Sequence, residues 1–394
     1  MEKPVIAELV FWFCLIAMVY TYFVYPILLF GGYVVVQVWR DLKYLWGRSD
    51  RRARKLSPEH VPSVSIIVPA YNEEARLPDK IVNLREITGG SDQYEIIFIS
   101  DGSTDGTNSI LSELPDTNMR ALFLPTRQGK PNALNHGVAA AHNEVLVFSD
   151  AATLFDSLAL QNLVRHFSDP EVGVVCGSLR FEGSTESKQT EGVYWRYEGM
   201  LRLMEARLGS TLTASGAIYA LRRQCYPVLS PDTLIEDFVI PMHARKLGYR
   251  VLYDPEVVAT EFAAASVKDE FTRRVRLATG SFRALGELAY INLDLVTCLA
   301  FVSHKVLRWI MPFLQVGLLV GGALMLDRPV YRHILAIQLV FYLWAAAGLL
   351  FRRRLQGVRY ALVGYFLVAM HAAFLVGFLR FVLGRGGATW QRVT

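Results

Sequence analysis

VSIIVPAYNEE, Val64 to Glu74, is a short and almost unbroken apolar run that stops abruptly in turn-forming and acidic residues. The run Val64 to Pro69 is too short for a core helix. It is apolar at consecutive positions rather than alternate ones, which suits a strand covered on both faces. Four similar runs follow: YEIIFIS (Tyr94 to Ser100), ALFLP (Ala121 to Pro125), EVLVFS (Glu144 to Ser149) and VGVVCG (Val172 to Gly177). Segments of helical length separate them. Strand and helix in alternation predict right-handed crossovers, and so a Rossmann-like α/β domain with a mainly parallel sheet over residues 61–290.

Open sheets of this kind bind ligands beyond the carboxyl ends of their strands. The first strand runs into Ala70-Tyr71-Asn72-Glu73-Glu74, the second into Asp101-Gly102-Ser103-Thr104-Asp105-Gly106, and the fourth into Asp150-Ala151-Ala152-Thr153. Thr104 and Asp105 read best as caps of the next helix. Asp101 alone fits an ordinary turn equally well. Two acids, Asp101 and Asp150, each at a strand end, point to a shared site.

The flanks of this domain are of another composition. The chain has 394 residues, 52% hydrophobic and only 20% charged, with a formal net charge of +5 and a mean hydropathy of +0.27. That balance excludes a disordered chain and a wholly soluble one. The excess apolar content lies at the two ends. Val5 to Val38 holds a single charge, Glu8, and is long enough to cross a bilayer, so residues 1–40 are expected to be a permanent anchor. Residues 41–60 form a basic linker with Arg48, Arg51, Arg52, Arg54 and Lys55. This is expected to place the N-terminus outside and the sheet domain in the cytosol. Residues 310–394 are expected to form a transmembrane bundle and tail, with spans near Met311–Met325, Ile334–Phe351 and Tyr360–Leu383. Residues 291–309 carry His304, Lys305 and Arg308. They read as an amphipathic helix in the interface, or else as the start of a longer tilted span. The four cysteines fit neither a zinc site nor a redox pair. Basic clusters sit beside apolar spans, so a nucleic-acid partner is not expected.

The motifs VPAYNEE, SDGSTDGT, RQGKPNALNHG, FSDAAT, SGAIYALRR and LIEDF, in that order, resemble the membrane-bound family 2 glycosyltransferases of the GT-A fold. Hyaluronan, cellulose and chitin-oligosaccharide synthases are relatives of this kind. The resemblance implies a UDP-sugar donor. It places the base and ribose on Pro69, Ala70, Tyr71 and Glu73, and the base ring N–H on Asp101, with Ser103 in the same loop. Lys130 and Arg276 would lie beside the diphosphate, with Arg273 near them. Outside its motif Lys130 would read as a solvated loop lysine. Arg273 and Arg274 read as readily as a basic helix face resting on anionic lipid.

Asp150 matches the first position of the family's Asp-x-Asp metal motif, and Ala152 stands at the second. The resemblance therefore implies a divalent metal, Mg or Mn, held by Asp150 with one protein carboxylate fewer than usual. In LIEDF, Asp237 matches the general base of an inverting transfer, with Glu236 beside it. Polymerising relatives carry Gln-x-x-Arg-Trp where this chain has Arg273-Arg274-Val275-Arg276-Leu277. The missing tryptophan weakens the case for processive synthesis. The expected partners are a UDP-sugar, a growing polysaccharide or lipid-linked glycan, the bilayer, and export or assembly subunits. Two rivals remain: a catalytically decayed member acting as a membrane assembly partner or regulatory subunit, and a transporter, which the small number of spans disfavours. On helix spacing, Tyr194, Tyr197, Leu201, Met204 and Leu208 form a stripe that reads as core, while Trp195 lies off it.

Overall fold

A computed structural model describes residues 3–47, 62–182, 185–209, 211–262, 267–288, 294–355, 358 and 361–384. Most of the basic linker, and the side chains of Tyr194 and Trp195, lie outside what it describes. Eight strands form one sheet: β1 (Val64–Ala70), β2 (Tyr94–Asp101), β3 (Met119–Leu124), β4 (Val145–Ser149), β5 (Thr153–Phe155), β6 (Val172–Glu182), β7 (Ile218–Arg222) and β8 (Arg250–Phe262). Their order is β3-β2-β1-β4-β7-β6-β8-β5.

The five expected runs are all strands. Alternate residues explain their continuous apolarity. Ile66, Val68, Ile96 and Phe98 join the core on one face, while Ile67, Ile97, Ile99 and Phe148 join the core on the other. Each such side chain contributes about 1.5–3 kcal/mol by leaving water. The strands β3, β2, β1 and β4 are parallel, as expected. β7 runs antiparallel to β4 and β6, and β5 antiparallel to β8, so the sheet is mixed. From β1 the chain winds outward to β3, then returns to place β4 on the other side of β1. This reversal opens the crevice at the ends of β1 and β4.

The helix Lys130–Ala140 crosses β1 and β2 closely. A Cβ on Gly137 would lie 2.7 Å from Ile67 Cγ2 and 2.8 Å from Ile99 Cδ1. Gly137→Ala is therefore expected to lower stability by about 1–3 kcal/mol through overpacking, read as a lower melting temperature. An unchanged melting temperature would show that the helix has room to shift.

Among the described residues three helices are long and apolar enough to cross a membrane: the continuous Val5–Leu45, then Pro329–Leu350 and Val363–Val382. The expected span from Met311 is shorter. The helix Met311–Leu324 has 14 residues, and it meets Leu295–Trp309 at a 63° bend. The two together make a broken span or a re-entrant element. Glu8 pairs with Arg328 at 3.1 Å and accepts a 2.5 Å bond from Tyr331, so the lone acid of the N-terminal span is neutralised.

The sheet domain is joined to the membrane helices through side chains. Leu201 and Met204, with Tyr197 and Leu208, pack on Tyr25 and Leu29, so the described part of the stripe is core. The charges of the 295–309 segment turn onto Glu198 of the helix Thr185–Leu208. Lys305 and Arg308 each donate to Glu198 at 2.8 Å, and His304 lies 3.1 Å from it. Burial alone would keep this carboxyl protonated. Lys305, His304 and Arg308 outweigh burial and hold it well below the usual range.

Candidate active site

The turn after β1 and the loop after β2 are stitched together. Asn72 N–H donates to Ser103 Oγ at 3.2 Å, and Asn72 Oδ1 accepts from Thr104 N–H at 2.8 Å. Glu73 N–H donates to Thr107 Oγ1 at 2.8 Å. Asn72 takes the left-handed conformation that this tight turn requires, with φ 54°. Asp105 accepts from Thr107 N–H at 3.0 Å, but the N-cap of the helix Thr107–Ser112 is Gly106 rather than Thr104 or Asp105 as expected. The Arg127 guanidinium stacks 3.8 Å from the Tyr71 ring centre.

Asp101, at the tip of β2, is buried. Its two oxygens accept the backbone N–H groups of Gln128 and Gly129 at 2.7 and 2.8 Å. These bonds fix the loop that delivers Lys130 as the first residue of its helix. Lys130 Nζ lies 2.7 Å from Asp150 Oδ1, at the end of β4, and 2.6 Å from Glu236 Oε1. Glu236 and Asp237 open the helix Glu236–Lys246. Burial opposes the Lys130 charge, but Asp150 and Glu236 more than offset it and push its pKa upward.

Asp237 lines the same pocket as Lys130, Asp150 and Glu236. Its backbone oxygen accepts from Ala214 N–H at 2.8 Å. A Cβ on Gly216 would stand 3.8 Å from both Asp237 Oδ2 and Lys130 Nζ. The TASGA turn thus brings bare backbone against the acid and the amine. Burial first, and then the neighbouring Glu236 charge, raise the Asp237 carboxyl to about 6. Glu236 is lowered instead, because Lys130 overcomes its burial. Two adjacent acids therefore take opposite protonation preferences, as an acid–base site requires.

Two cavities meet at this point. A small one of about 60 Å³ is lined by Pro69, Ala70, Tyr71, Glu73, Asp101, Lys130, Asp150, Ala152 and Glu261. A larger one of about 260 Å³ is lined by Lys130, Asp150, Glu236, Asp237, Arg273, Arg274, Arg276 and Leu277. All the residues expected at the site line one or the other except Ser103. Its hydroxyl instead holds Asn72 N–H and lies 2.9 Å from Ser100 Oγ.

Several residues on these walls were not anticipated. Glu261 lines both cavities; it belongs to β8, opposite Thr153, a strand whose polar interruptions hide it. Trp309, Lys305 and Arg202 also line the larger cavity. Below Asp150 lies Lys80, fully buried, donating to Ser149 Oγ at 2.7 Å and to the Thr153 carbonyl at 2.6 Å. Burial draws its amine down to about 7. Among the described residues no group of three or more His, Cys, Asp or Glu is placed to hold a metal alone. Asp150 and Glu261 both line the two cavities, and such hard oxygen donors suit a cation completed by phosphate oxygens and water.

Residues 65–226 match the Glycosyl transferase family 2 model. The chain is 24% identical over 272 residues to the poly-beta-1,6-N-acetyl-D-glucosamine synthase of Staphylococcus aureus. That match covers 66% of this chain and 65% of the relative's length. The Staphylococcus epidermidis protein of the same name is 25% identical over 238 residues, covering 59% of this chain and 57% of the relative. Among solved structures, a mannosyltransferase of Pyrobaculum calidifontis, in complex with GDP-Man and Mn2+, superposes with a TM-score of 0.67 at 21% identity. It covers 91% of this chain and 98% of that one, a likeness of fold that includes the helices outside the sheet domain.

Proposed function

We propose that this chain, whose residues 65–226 are a family 2 glycosyltransferase domain, moves a sugar from a UDP-sugar to a growing polysaccharide or lipid-linked glycan at the cytosolic membrane face. The observation that carries this reading is the Lys130 ammonium clasped between Asp150 and Glu236, with Asp237 on the same cavity wall. A cation fixed where strand ends converge suits a diphosphate, and a carboxylate of raised pKa beside it suits taking the proton of an attacking hydroxyl.

The base and ribose rest on Pro69 to Tyr71, with Asp101 beneath, and the diphosphate lies toward Lys130 and Arg276. The acceptor hydroxyl approaches past Gly216. Its oxygen bonds to the anomeric carbon as Asp237 takes its proton, and the bond to the diphosphate breaks on the opposite face, inverting the centre. A divalent cation, Mg or Mn, held by Asp150 and Glu261 would add neutralising charge to the leaving diphosphate. The positive-inside pattern puts the sheet domain in the cytosol and the N-terminus outside.

The experiment is a donor screen on purified full-length protein, scoring nucleotide release and product size with Mg2+ and with Mn2+. Release from one donor, with transfer of its sugar, is expected. Absence of release from every common donor would favour the decayed, assembly-partner reading.

Two finer outcomes belong to the same assay. Because the base must be ionised, kcat/KM should climb with pH through about 6, where the Asp237 carboxyl titrates. A flat profile between pH 5 and 7 would remove Asp237 from that role. Ala152→Asp places a second carboxylate beside Asp150 and should tighten Mn2+ about tenfold in a titration with UDP present. Unchanged affinity would mean that the cation is held elsewhere.

A further inference from the structure

Behind the catalytic cavity lies a third and larger one of about 750 Å³, inside the membrane helices. Met18, Leu318, Ile334, Ile337 and Leu367 are among its walls. It shares Lys305, Trp309, Met370 and Phe374 with the catalytic cavity, so these four side chains stand between the two. Its polar groups are few beside its apolar walls, and only some are paired: His371 Nδ1 and Gln338 Oε1 are buried without a hydrogen-bond partner. Tyr22 Oη bonds His371 Nε2 at 3.0 Å, and Gln338 Nε2 donates to the Gln315 carbonyl at 2.9 Å and to Tyr342 Oη at 3.0 Å. A sugar chain there would bury hydroxyls against carbon, at a cost for each one left without a partner. A hydrocarbon chain would not.

The mouth between the two cavities is cationic. Lys305, Arg308 and Arg202 converge on the single carboxylate of Glu198, at 2.8, 2.8 and 3.5 Å. Arg274, on the catalytic side, lies 5.0 Å from the ring centre of Phe366 in the chamber wall. From one end to the other, the path therefore offers a base, then cations, then an apolar chamber.

We infer that the acceptor is a glycosylated polyprenyl phosphate. Its sugar hydroxyl faces Asp237, its phosphate lies at the Lys305–Arg308–Arg274 mouth, and its hydrocarbon occupies the chamber. This rests on the transferase reading above and narrows its acceptor to one class. The chemistry balances: the lipid-bound sugar's hydroxyl oxygen bonds the donor's anomeric carbon, its proton passes to Asp237, and the nucleoside diphosphate leaves with the electrons of the broken bond. Leu277, where polymerising relatives carry a stacking tryptophan, fits a site that does not have to grip a long glycan.

The test is photo-crosslinking of full-length protein in lipid nanodiscs with a polyprenyl phosphate bearing a diazirine along its chain, and no donor present. Crosslinks should fall on residues 15–23, 315–318, 334–342 and 363–374. The matching neutral polyprenol should label about tenfold less. Ile337→Trp and Leu367→Trp, which fill the chamber from two different helices, should each cut labelling by a similar factor. Ile337 is 69% exposed on its helix, so its replacement spares the core. Labelling spread over the outer faces near Ile27 and Val35, indifferent to both substitutions and to the phosphate, would overturn the inference. The assay needs no turnover. Chamber labelling by a protein that releases no nucleotide would sink the transferase reading and leave the site. Donor turnover onto water-soluble glycans alone, without chamber labelling, would do the reverse.

Discussion

Asp237→Asn is expected to abolish sugar transfer while leaving the protein folded, able to bind nucleotide and no less stable at neutral pH. The amide keeps the shape of the side chain, and the backbone bond from Ala214 to the Asp237 carbonyl does not involve it. What goes is the carboxylate assigned to take the hydroxyl proton. General bases contribute about 10²–10⁴-fold, so kcat should fall by about 10³ with nucleotide affinity unchanged. The stability effect has a definite sign. The folded-state pKa of about 6 lies above the ordinary aspartate value, so the folded state disfavours the ionised form. That cost is absent below about pH 4, develops between pH 4 and 6, and is complete above pH 6. The asparagine variant escapes it, and its melting temperature at pH 8 should match or exceed that of the parent, by up to about 3 kcal/mol of stability. A variant that retains transfer would remove Asp237 from the mechanism. One that unfolds at pH 8 would show that the carboxylate is structural.

The long-range burial that raises the Asp237 carboxyl also marks the limit of what a sequence reveals. β1 and β4 were readable because both of their faces are buried, so every position along Val64–Ala70 is apolar or small. β8 was not, because Asp254 and Pro255 interrupt its apolar residues; Asp254 in fact faces Arg165 and His166, each at 2.7 Å. With β8 unseen, Glu261 had no place beside Asp150. The chemical types at the strand ends were legible, and their ties were not. Asp101 could be expected near a nucleotide, but nothing in the chain order shows that it first holds the N–H groups of Gln128 and Gly129. Likewise His304, Lys305 and Arg308 read as a polar face on a membrane surface. Folding turns them inward because Glu198, more than a hundred positions earlier, lies on a helix docked beside them. Long-range charge pairing has no local periodicity, so it leaves no pattern to read.

Lys130→Met should be the most damaging single change in the site, to stability and activity together. Lys130 is the one ammonium clasped by both Asp150 and Glu236. Without it two carboxylates face each other, and Asp237, already raised, stands beside them. Breaking a buried ion pair by removing one partner costs about 3–5 kcal/mol, since the other charge is left uncompensated. The system can respond only by taking up a proton, so the variant should lose less stability at pH 5 than at pH 8. Nucleotide affinity should fall as well, because the diphosphate loses its fixed cation. Adding Glu236→Gln to Lys130→Met relieves the carboxylate repulsion. The double variant should regain about 2 kcal/mol in chemical unfolding while nucleotide affinity stays low. Lys130→Arg, which keeps the charge on a wider and differently shaped head, should recover stability more fully than turnover. If the methionine variant unfolds at the same denaturant concentration as the parent at pH 8, the clasp contributes nothing, and the electrostatic account of the site fails with it.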